Sequence, residues 1–500
     1  MAYESIVLNT NDGSVSDENI HILKETDYRA YRTRWIVVII FALLSCMNAY
    51  LWISFSPIAN YFVEFYSTSY LILNLVSLVF PLITVILGIP IAYSIDYLGI
   101  RLIIWGTAAC NLICGCLRAV SSTSHFNISS SVRLALFILG QVIASFGQPF
   151  CLFSTTSLAT SWFPDNQRTT GNTIASLGNA LGIMFCNAFA PNYVKKSSDI
   201  VSFNYISLGI VIILFLLSIT LVRRSEPPTP PSHVATLVKA RYRASENRNF
   251  LSLNSLLSFI KSFIPLLKLY GFWIIMLTFG SCIGYFTVLS TFLQQMLCTK
   301  GYSNQFAGLC GLIMIGAGLI ASGPFAVFVD RTGFLIETLK ITFILSVLGC
   351  VGLSIVLWFP YQQVATTFCL ICLGGFGFAQ YSLSLEMAAE ATYPVSESVT
   401  TSLLIISSQL IAFIMLPIMQ FSAPPTGNSA SITSTCGPDE MIQNFNPPNM
   451  GLVAFLVLLS IIQLFTLRLP YNRRNYFSSL KETVESENYP GMDNHENPGE

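Results

Sequence analysis

Long stretches of the chain carry no charged residue at all, and the charges are concentrated in the connections between them. Crossing the hydrocarbon core of a bilayer takes about 20 predominantly apolar residues in a helix. The run 341–385 is long enough for two helices, and its aromatic and polar segment 358–363 is typical of a hairpin at the membrane interface. The pattern therefore predicts an all-α polytopic membrane protein with twelve transmembrane helices. The charge-free runs are 35–63, 65–95, 102–117, 134–164, 169–194, 200–222, 269–299, 301–329, 341–385, 398–438 and 441–467.

The composition indicates lipid as the surrounding medium. Only 10% of the residues are charged and 53% are hydrophobic, whereas an ordinary soluble domain has roughly 25% charged residues. The net charge is zero, so a nucleic-acid partner has no electrostatic support. Cysteines inside apolar runs, including the Cys369 and Cys372 pair, are interpreted as small packing residues. Cys436 lies in a polar loop and is a candidate disulfide partner of Cys298.

Lysine and arginine predict the orientation of the chain. With both termini in the cytoplasm, only five of the 25 basic residues face outward, as the positive-inside rule requires. The polar connection 224–268 then separates two blocks of six helices, 35–223 and 269–470. Residues 1–34 and 471–500 are the predicted cytoplasmic N-terminal segment and tail. The five outward basic residues are Arg118, Arg133, Lys195, Lys196 and Lys300.

The two halves repeat a D-x-x-G turn at matching places, after helix 2 and after helix 8. An Asp at a helix end accepts hydrogen bonds from a neighbouring helix N-terminus, and Gly permits the tight turn. We interpret these turns, with an arginine after helix 4, as latches that close the cytoplasmic side, although a polar helix cap is the plainer alternative. They resemble the loop signature of the major facilitator superfamily. The gating residues are Asp96, Gly99, Arg101, Arg168, Asp330, Arg331 and Gly333.

Deep in the predicted spans there is no acidic residue and no histidine. Intramembrane ionisable groups are the usual sign of a proton relay, so the sequence favours uncoupled transport. The deep spans do contain aromatic and amide side chains, and an aromatic face attracts an organic ammonium without a counter-charge. Packing and hydrogen bonds between helices are the alternative role for these residues. The predicted substrate-binding residues are Trp52, Gln148, Asn179, Tyr285, Phe286 and Gln409.

Several motifs resemble the feline leukaemia virus subgroup C receptor-related solute carriers, a family of the major facilitator superfamily. The stretch 158–168 is most similar to the little-characterised third branch of that family. The likeness extends over most of 30–470. The motifs that carry it are 48–58 (NAYLWISFSPI), 148–150 (QPF), 178–182 (GNALG), 290–296 (STFLQQM) and 390–394 (EATYP).

The resemblance implies a major facilitator fold and the uptake of choline or ethanolamine. Its choline cage is similar to Trp52 with the amides Gln148 and Gln409, whereas Thr287 stands at the place of a cage tyrosine. Haem or another porphyrin is the alternative substrate, and a pyridoxine-transporting branch keeps a vitamin open. A membrane receptor or sensor is a second class, and the paired turns argue against it. No catalytic cluster lies within the spans, so we expect no enzyme and no cofactor.

Some predictions concern the setting of the protein. Asn127 begins the sequon Asn-Ile-Ser. It lies in a predicted outer loop, on the side of the membrane where glycosylation occurs, so we expect it to be a glycosylation site. The tail segment 489–492 resembles a tyrosine-based sorting signal. We expect the plasma membrane, with the endolysosomal membrane as the alternative. The expected partners are the lipid bilayer and a small-molecule substrate, and the expected state is a monomer.

Overall fold

The computed structural model describes residues 28–123, 129–232, 235–236, 257, 259–393, 395, 397–425 and 443–472. Within them lie twelve helices long and apolar enough to cross a membrane, which confirms the predicted number and the all-α class. The predicted hairpin inside 341–385 lies between the ninth and tenth helices. The helices are α1 (Thr33–Tyr66), α2 (Tyr70–Ile95), α3 (Tyr97–Ser122), α4 (Ser130–Trp162), α5 (Arg168–Tyr193), α6 (Asp199–Leu221), α7 (Tyr270–Cys298), α8 (Asn304–Thr332), α9 (Leu335–Val356), α10 (Gln363–Thr392), α11 (Glu397–Phe421) and α12 (Asn446–Thr466).

Two helices of the first half are interrupted near proline, which removes a backbone donor from the helix. The first segment of α1 ends at Ile53, and a 3₁₀ turn at Ser56–Ile58 that contains Pro57 leads to a second segment, Ala59–Tyr66. In α2 the helix pauses at Leu78, three residues before Pro81, between Tyr70–Ser77 and the segment that begins at Val79. These breaks leave backbone carbonyls without helical partners inside the bundle.

The helices pack in two sets, α1–α6 and α7–α12, and the bounds of the two predicted blocks stay a prediction. Helix α1 packs on α4 and α5, and α3 packs on α6, whereas α7 packs on α11 and α8 packs on α10. The contacts between the sets run mainly from α5 to α8 and from α2 to α11. In the first set, a Cβ added to Gly178 or Gly182 would collide with the backbone of α1, so these glycines allow α5 to approach α1 closely.

The start of the linker is tied to one end of the first half, which we call the inner end because it is predicted to be cytoplasmic. The indole of Trp162 donates to the carbonyl of Ser225 at 3.1 Å. The hydroxyl of Thr229 donates to that of Tyr31 at 3.0 Å. A short helical turn, Ile264–Leu267, precedes α7.

Arg118 differs from its predicted place in an outer connection. Helix α3 continues to Ser122, and Arg118 lies inside it with 1% of its surface exposed. The charge-free run therefore ended one turn before the helix does. Cys298 is disulfide-bonded at the opposite, outer end of the bundle, and its partner lies outside the described residues, where Cys436 also lies.

Candidate functional site

A cavity of about 550 Å³ lies between the two helix sets. Its wall is formed by α1, α4 and α5 of the first set and by α7 to α12 of the second. A volume of this size suits a small organic ligand. All six predicted binding residues line this one cavity: Trp52, Gln148, Asn179, Tyr285, Phe286 and Gln409. Their role in binding stays a prediction.

Trp52 is held by the interruption of α2. Pro81 has no N–H, so the carbonyl of Ser77, four residues earlier, lacks its helical donor. The indole Nε1 of Trp52 donates to that carbonyl at 3.3 Å. The ring packs against Phe80 with its centroid 6.4 Å away. The indole N–H is thus satisfied by the protein, and what Trp52 contributes to the cavity wall is its aromatic ring.

Aromatic side chains of the second set form part of the opposite wall. Phe286 meets Phe378 edge to face, with ring centroids 5.7 Å apart and an interplanar angle of 87°. Tyr285 also lines the cavity, but its hydroxyl donates to Asn449 Oδ1 at 2.9 Å inside the second set. Phe378 and Tyr381 line the cavity too. Sequence reasoning missed them because they lie in a run of Gly and Phe without a distinguishing pattern.

The amides on the cavity wall have unused hydrogen-bonding atoms. Gln148 Oε1 and Asn179 Nδ2 are buried and have no hydrogen-bond partner among the described residues. The same is true of Oδ1 of Asn172, which lines the same cavity. Gln409, which is 7% exposed, lines the same cavity. Buried polar atoms are nearly always paired in folded proteins. A ligand with a hydroxyl or ammonium group would supply partners.

The charged residues on the wall are all acidic. Asp330 and Glu386, near the inner ends of α8 and α10, line the cavity, and no Lys, Arg or His of the described residues does. The lining also includes Thr169 and Thr401 at the inner ends of α5 and α11. The cavity therefore extends from the middle of the bundle to its inner end, where two carboxylates lie on its wall.

At the outer end the two sets are joined by uncharged hydrogen bonds. The hydroxyl of Ser56 on α1 donates to the carbonyl of Ser290 on α7 at 2.8 Å. Asn74 on α2 exchanges hydrogen bonds with Gln295 on α7 at 3.0 and 2.7 Å, and also donates to Gln420 on α11 at 2.7 Å.

A further outer contact joins Asn304 Nδ2 to Asn60 Oδ1 at 2.8 Å. We call this set of residues the outer amide layer: Ser56, Asn60, Asn74, Ser290, Gln295, Asn304 and Gln420. It was not predicted from the sequence: Ser56, Ser290 and Gln295 lie in two of the motifs named above, but a motif does not show which residues of the other half its side chains contact.

Close packing of α5 against α8 adds to the outer closure. A Cβ added to Gly308 would meet the backbone oxygen of Asn187, and one added to Gly311 would lie 2.6 Å from the Asn187 side chain. The cavity thus extends to the inner end while the outer end is sealed, which in the predicted orientation is an inward-facing arrangement.

The predicted gating turns have the expected backbone. Gly99 has φ 69° and Gly333 has φ 72°, values that glycine adopts without a Cβ penalty. Gly333 ends α8, and its N–H donates to the carbonyl of Val329 at 2.8 Å. The side chain of Asp96 is outside the described part of the chain.

For Arg101 and Arg331, the expected pairing with a carboxylate is not found among the described residues. Arg101 donates instead to the carbonyl of Arg223 at 3.1 Å and lies over the ring of Trp105. Arg331 is exposed in the last turn of α8. Arg168 begins α5. The latch role of these residues stays a prediction. Asn127 lies outside the described residues.

Comparison with known proteins identifies the family. The family model for the Major Facilitator Superfamily matches residues 39–418. Solute carrier family 49 member A3 of Xenopus tropicalis is 34% identical over 462 residues, which cover 91% of this chain and 92% of that protein. Its namesake from Danio rerio is 32% identical over 446 residues, 89% and 90% of the two chains. The choline/ethanolamine transporter FLVCR2 of Homo sapiens is 26% identical over 491 residues, 95% and 85% of the two chains.

Solved structures share the fold at low sequence identity. The D-xylose-proton symporter has a TM-score of 0.63 and 15% identity, covering 89% of this chain and 99% of that one. An inward-facing, unoccupied bacterial homologue of the human lysosomal transporter Spinster has a TM-score of 0.59 and 15% identity, covering 87% and 97%. These likenesses confirm the predicted twelve-helix major facilitator architecture.

Proposed function

We propose that this chain, which belongs to the major facilitator superfamily and to solute carrier family 49, carries a small organic cation across the membrane by alternating access. The leading substrate is choline or a similar organic ammonium compound. The relatives named choline/ethanolamine transporters support this class, and the similarity to member A3 proteins supports a place in the third branch of the family.

The observation that carries the proposal is the chemistry of the cavity wall. One wall offers the ring of Trp52, the other offers Phe286 and Phe378, and the charges near the inner end are carboxylates. An aromatic ring contributes about 0.5–2 kcal/mol to the binding of an organic cation. The unpaired amide atoms of Gln148 and Asn179 would bind a hydroxyl or amino group on the same small molecule.

The same wall argues against a porphyrin as the substrate. Haem carries two propionate groups, whose burial requires cationic or multiple hydrogen-bond partners. Within the described residues the wall holds no cationic side chain and two carboxylates. An uncharged vitamin satisfies the aromatic and amide groups but gains nothing from Asp330 and Glu386. Porphyrins and pyridoxine therefore serve as the comparison ligands in a test.

We infer that transport is uncoupled from protons. The carboxylates on the wall, Asp330 and Glu386, are both exposed and lie near the inner end instead of deep in the membrane. A proton relay needs ionisable groups that are sequestered along the pathway. We expect counterflow of labelled choline in proteoliposomes without a proton gradient, whereas a receptor or sensor would exchange nothing.

The decisive variant is Trp52→Ala. Loss of its ring is expected to weaken the apparent affinity for choline by about 2- to 30-fold, from the range given for one cation–aromatic contact. Trp52→Phe keeps a ring and should retain more affinity. Trp358→Ala is the control, because Trp358 lies in the α9–α10 connection and is 49% exposed.

Uptake is measured in cells with surface protein quantified, beside binding of choline, pyridoxine and haem to the purified protein by thermal shift. Unchanged choline affinity in Trp52→Ala would remove the aromatic cage from the proposal. Microscopy of the tagged full chain decides between the plasma membrane, our expectation, and the endolysosomal membrane.

A further inference from the structure

An arginine is buried in the outer part of the first half. Arg118 on α3 is 1% exposed, and its Nη1 donates to the carbonyl of Leu51 at 3.3 Å and to the hydroxyl oxygen of Ser54 at 2.8 Å. Its guanidinium group lies over the ring of Phe137, 5.4 Å from the centroid. Nε and Nη2 have no partner among the described residues. A buried cation without a carboxylate partner is unfavourable, and the hydrogen-bond partners of Arg118 in the described part of the chain include no carboxylate.

The carbonyl that Arg118 contacts is one that α1 itself leaves open. The first segment of α1 ends at Ile53, and the last carbonyls of a helix have no partner inside it. Ser54 Oγ and Gln141 Nε2 also donate to the carbonyl of Leu51, at 3.2 and 3.3 Å. A positive charge near a helix C-terminus is favourable as well. Arg118 therefore caps the interrupted helix α1 from the side of α3.

The segment of α1 that Arg118 caps contains one residue of the cavity wall and one residue of the outer amide layer. Trp52, which lines the cavity, directly follows Leu51 in the chain. Ser56, which belongs to the outer amide layer, follows four residues later and donates to the carbonyls of Ser290 and Thr291 on α7. When the outer end opens, the bonds of Ser56 to α7 must break, whereas the bonds of Arg118 lie within the first half.

We propose that Arg118 is a positioning residue, which fixes the interrupted segment of α1 to the first half so that Trp52 keeps its orientation when the outer end opens. Arg118 acts through Leu51 and Ser54 and does not line the cavity. The inference rests on the proposed function in one respect, that Trp52 binds the cation.

Arg133 provides a matched control at the same end of the same half. Its Nε and Nη2 donate to the carbonyls of Ser121 and Ser122, at the end of α3, at 3.2 and 3.4 Å. Its guanidinium group lies 5.2 Å from the ring centroid of Phe65. Arg133 thus caps a helix and covers an aromatic ring as Arg118 does, but it does so without a hydrogen bond to the segment of Trp52.

The test compares Arg118→Met and Arg133→Met in the full chain, each with and without Trp52→Ala. Removing Arg118 is expected to raise the KM for choline about tenfold with little change in kcat, by the loss of charged hydrogen bonds. In the Trp52→Ala background the same change should have almost no further effect, because the two residues act through one interaction. Arg133→Met should leave KM unchanged in both backgrounds.

A second measurement does not depend on the substrate. Hydrogen–deuterium exchange of the peptide that spans 51–58 is expected to increase in Arg118→Met and to stay unchanged in Arg133→Met. Arg118→Lys keeps the positive charge but lacks the planar guanidinium group, so it should give intermediate exchange. If Arg118→Met does not reach the cell surface, Arg118→Lys takes its place.

Unchanged exchange in this peptide, or an equal KM increase with and without Trp52, would overturn the assignment of Arg118. If the parent chain itself neither binds nor transports choline, the proposed substrate fails, while the exchange measurement still decides whether Arg118 holds the segment.

Discussion

The inward-facing arrangement depends on a glycine at the crossing of α5 and α8. Gly308 lies one turn into α8, where its missing side chain admits the backbone oxygen of Asn187 and the ring of Pro191. The perturbation is Gly308→Ala. The added methyl group would lie 2.5 Å from Pro191 Cγ and closer still to the Asn187 oxygen, whereas ordinary contacts begin at 3.4 Å. Backbone atoms cannot rotate away, so the helices must separate by roughly 1 Å at this point.

The free-energy cost of this crowding can be converted into a shift between the inward-facing and outward-facing states. Extra methyl groups in a packed interior cost about 1–3 kcal/mol. In alternating access α5 and α8 separate at the outer end when that end opens, so only the inward-facing state is destabilised. The equilibrium should therefore shift toward the outward-facing state by about 5- to 150-fold.

The assay is the labelling of an engineered cysteine at the outer amide layer. Ser290, on α7, is 6% exposed in the closed state, so Ser290→Cys reacts with a membrane-impermeant maleimide only when the outer end opens. Labelling rates on intact cells are compared between this reporter alone and the reporter with Gly308→Ala. The chain without the reporter gives the background from native cysteines.

Gly316→Ala serves as the control on the same helix, because a Cβ there meets nothing within 4 Å. Gly316→Ala raises helix propensity by about 1 kcal/mol, as Gly308→Ala does, but its methyl group does not collide with α5. We expect faster labelling in Gly308→Ala and no change in Gly316→Ala. Equal labelling rates in the two variants, at equal surface expression, would refute the role of this crossing in the outer closure.

Two further predictions concern the cavity. Neutralising both wall carboxylates, Asp330→Asn with Glu386→Gln, should raise the KM for choline several-fold at low salt and less at high salt, because exposed charges are screened; an equal change for an uncharged solute would contradict the electrostatic explanation. Tyr285→Phe should lower the melting temperature, since the hydrogen bond to Asn449 contributes about 0.5–1.5 kcal/mol, and should leave choline affinity unchanged. A loss of affinity at normal stability would show that the hydroxyl contacts the substrate.

The fold could be predicted largely from the spacing of charges. Charge-free runs predicted the twelve helices because a helix in contact with lipid must carry apolar residues on its surface. The D-x-x-G turns predicted the turns at Gly99 and Gly333, which both have positive φ. The end of α3 was misjudged because Arg118 is a cation inside a helix bundle. Its burial depends on the interruption of α1, a tertiary circumstance that a count of charges does not contain.

The candidate site was accessible only in part. Trp52 and the wall amides were found because polar and aromatic residues stand out in an apolar span. The hydrogen bond that orients Trp52 could not be predicted, because it joins α1 to α2: Pro81 frees the carbonyl of Ser77, and the indole of Trp52 donates to it. The pairing of Asn74 with Gln295 joins residues 221 positions apart, and a single sequence contains no signal for such a partnership.

The outer amide layer also determines how the protein would respond to acidification. Its bonds are made by the hydroxyl of Ser56, the backbone carbonyl of Ser290 and the amides of Asn and Gln, none of which gains or loses a proton between about pH 4 and 8. Neither a neutral extracellular medium nor the lumen of an endocytic vesicle therefore alters the strength of these bonds. A difference in outer opening between the two membranes would therefore have to arise from something other than protonation of this layer.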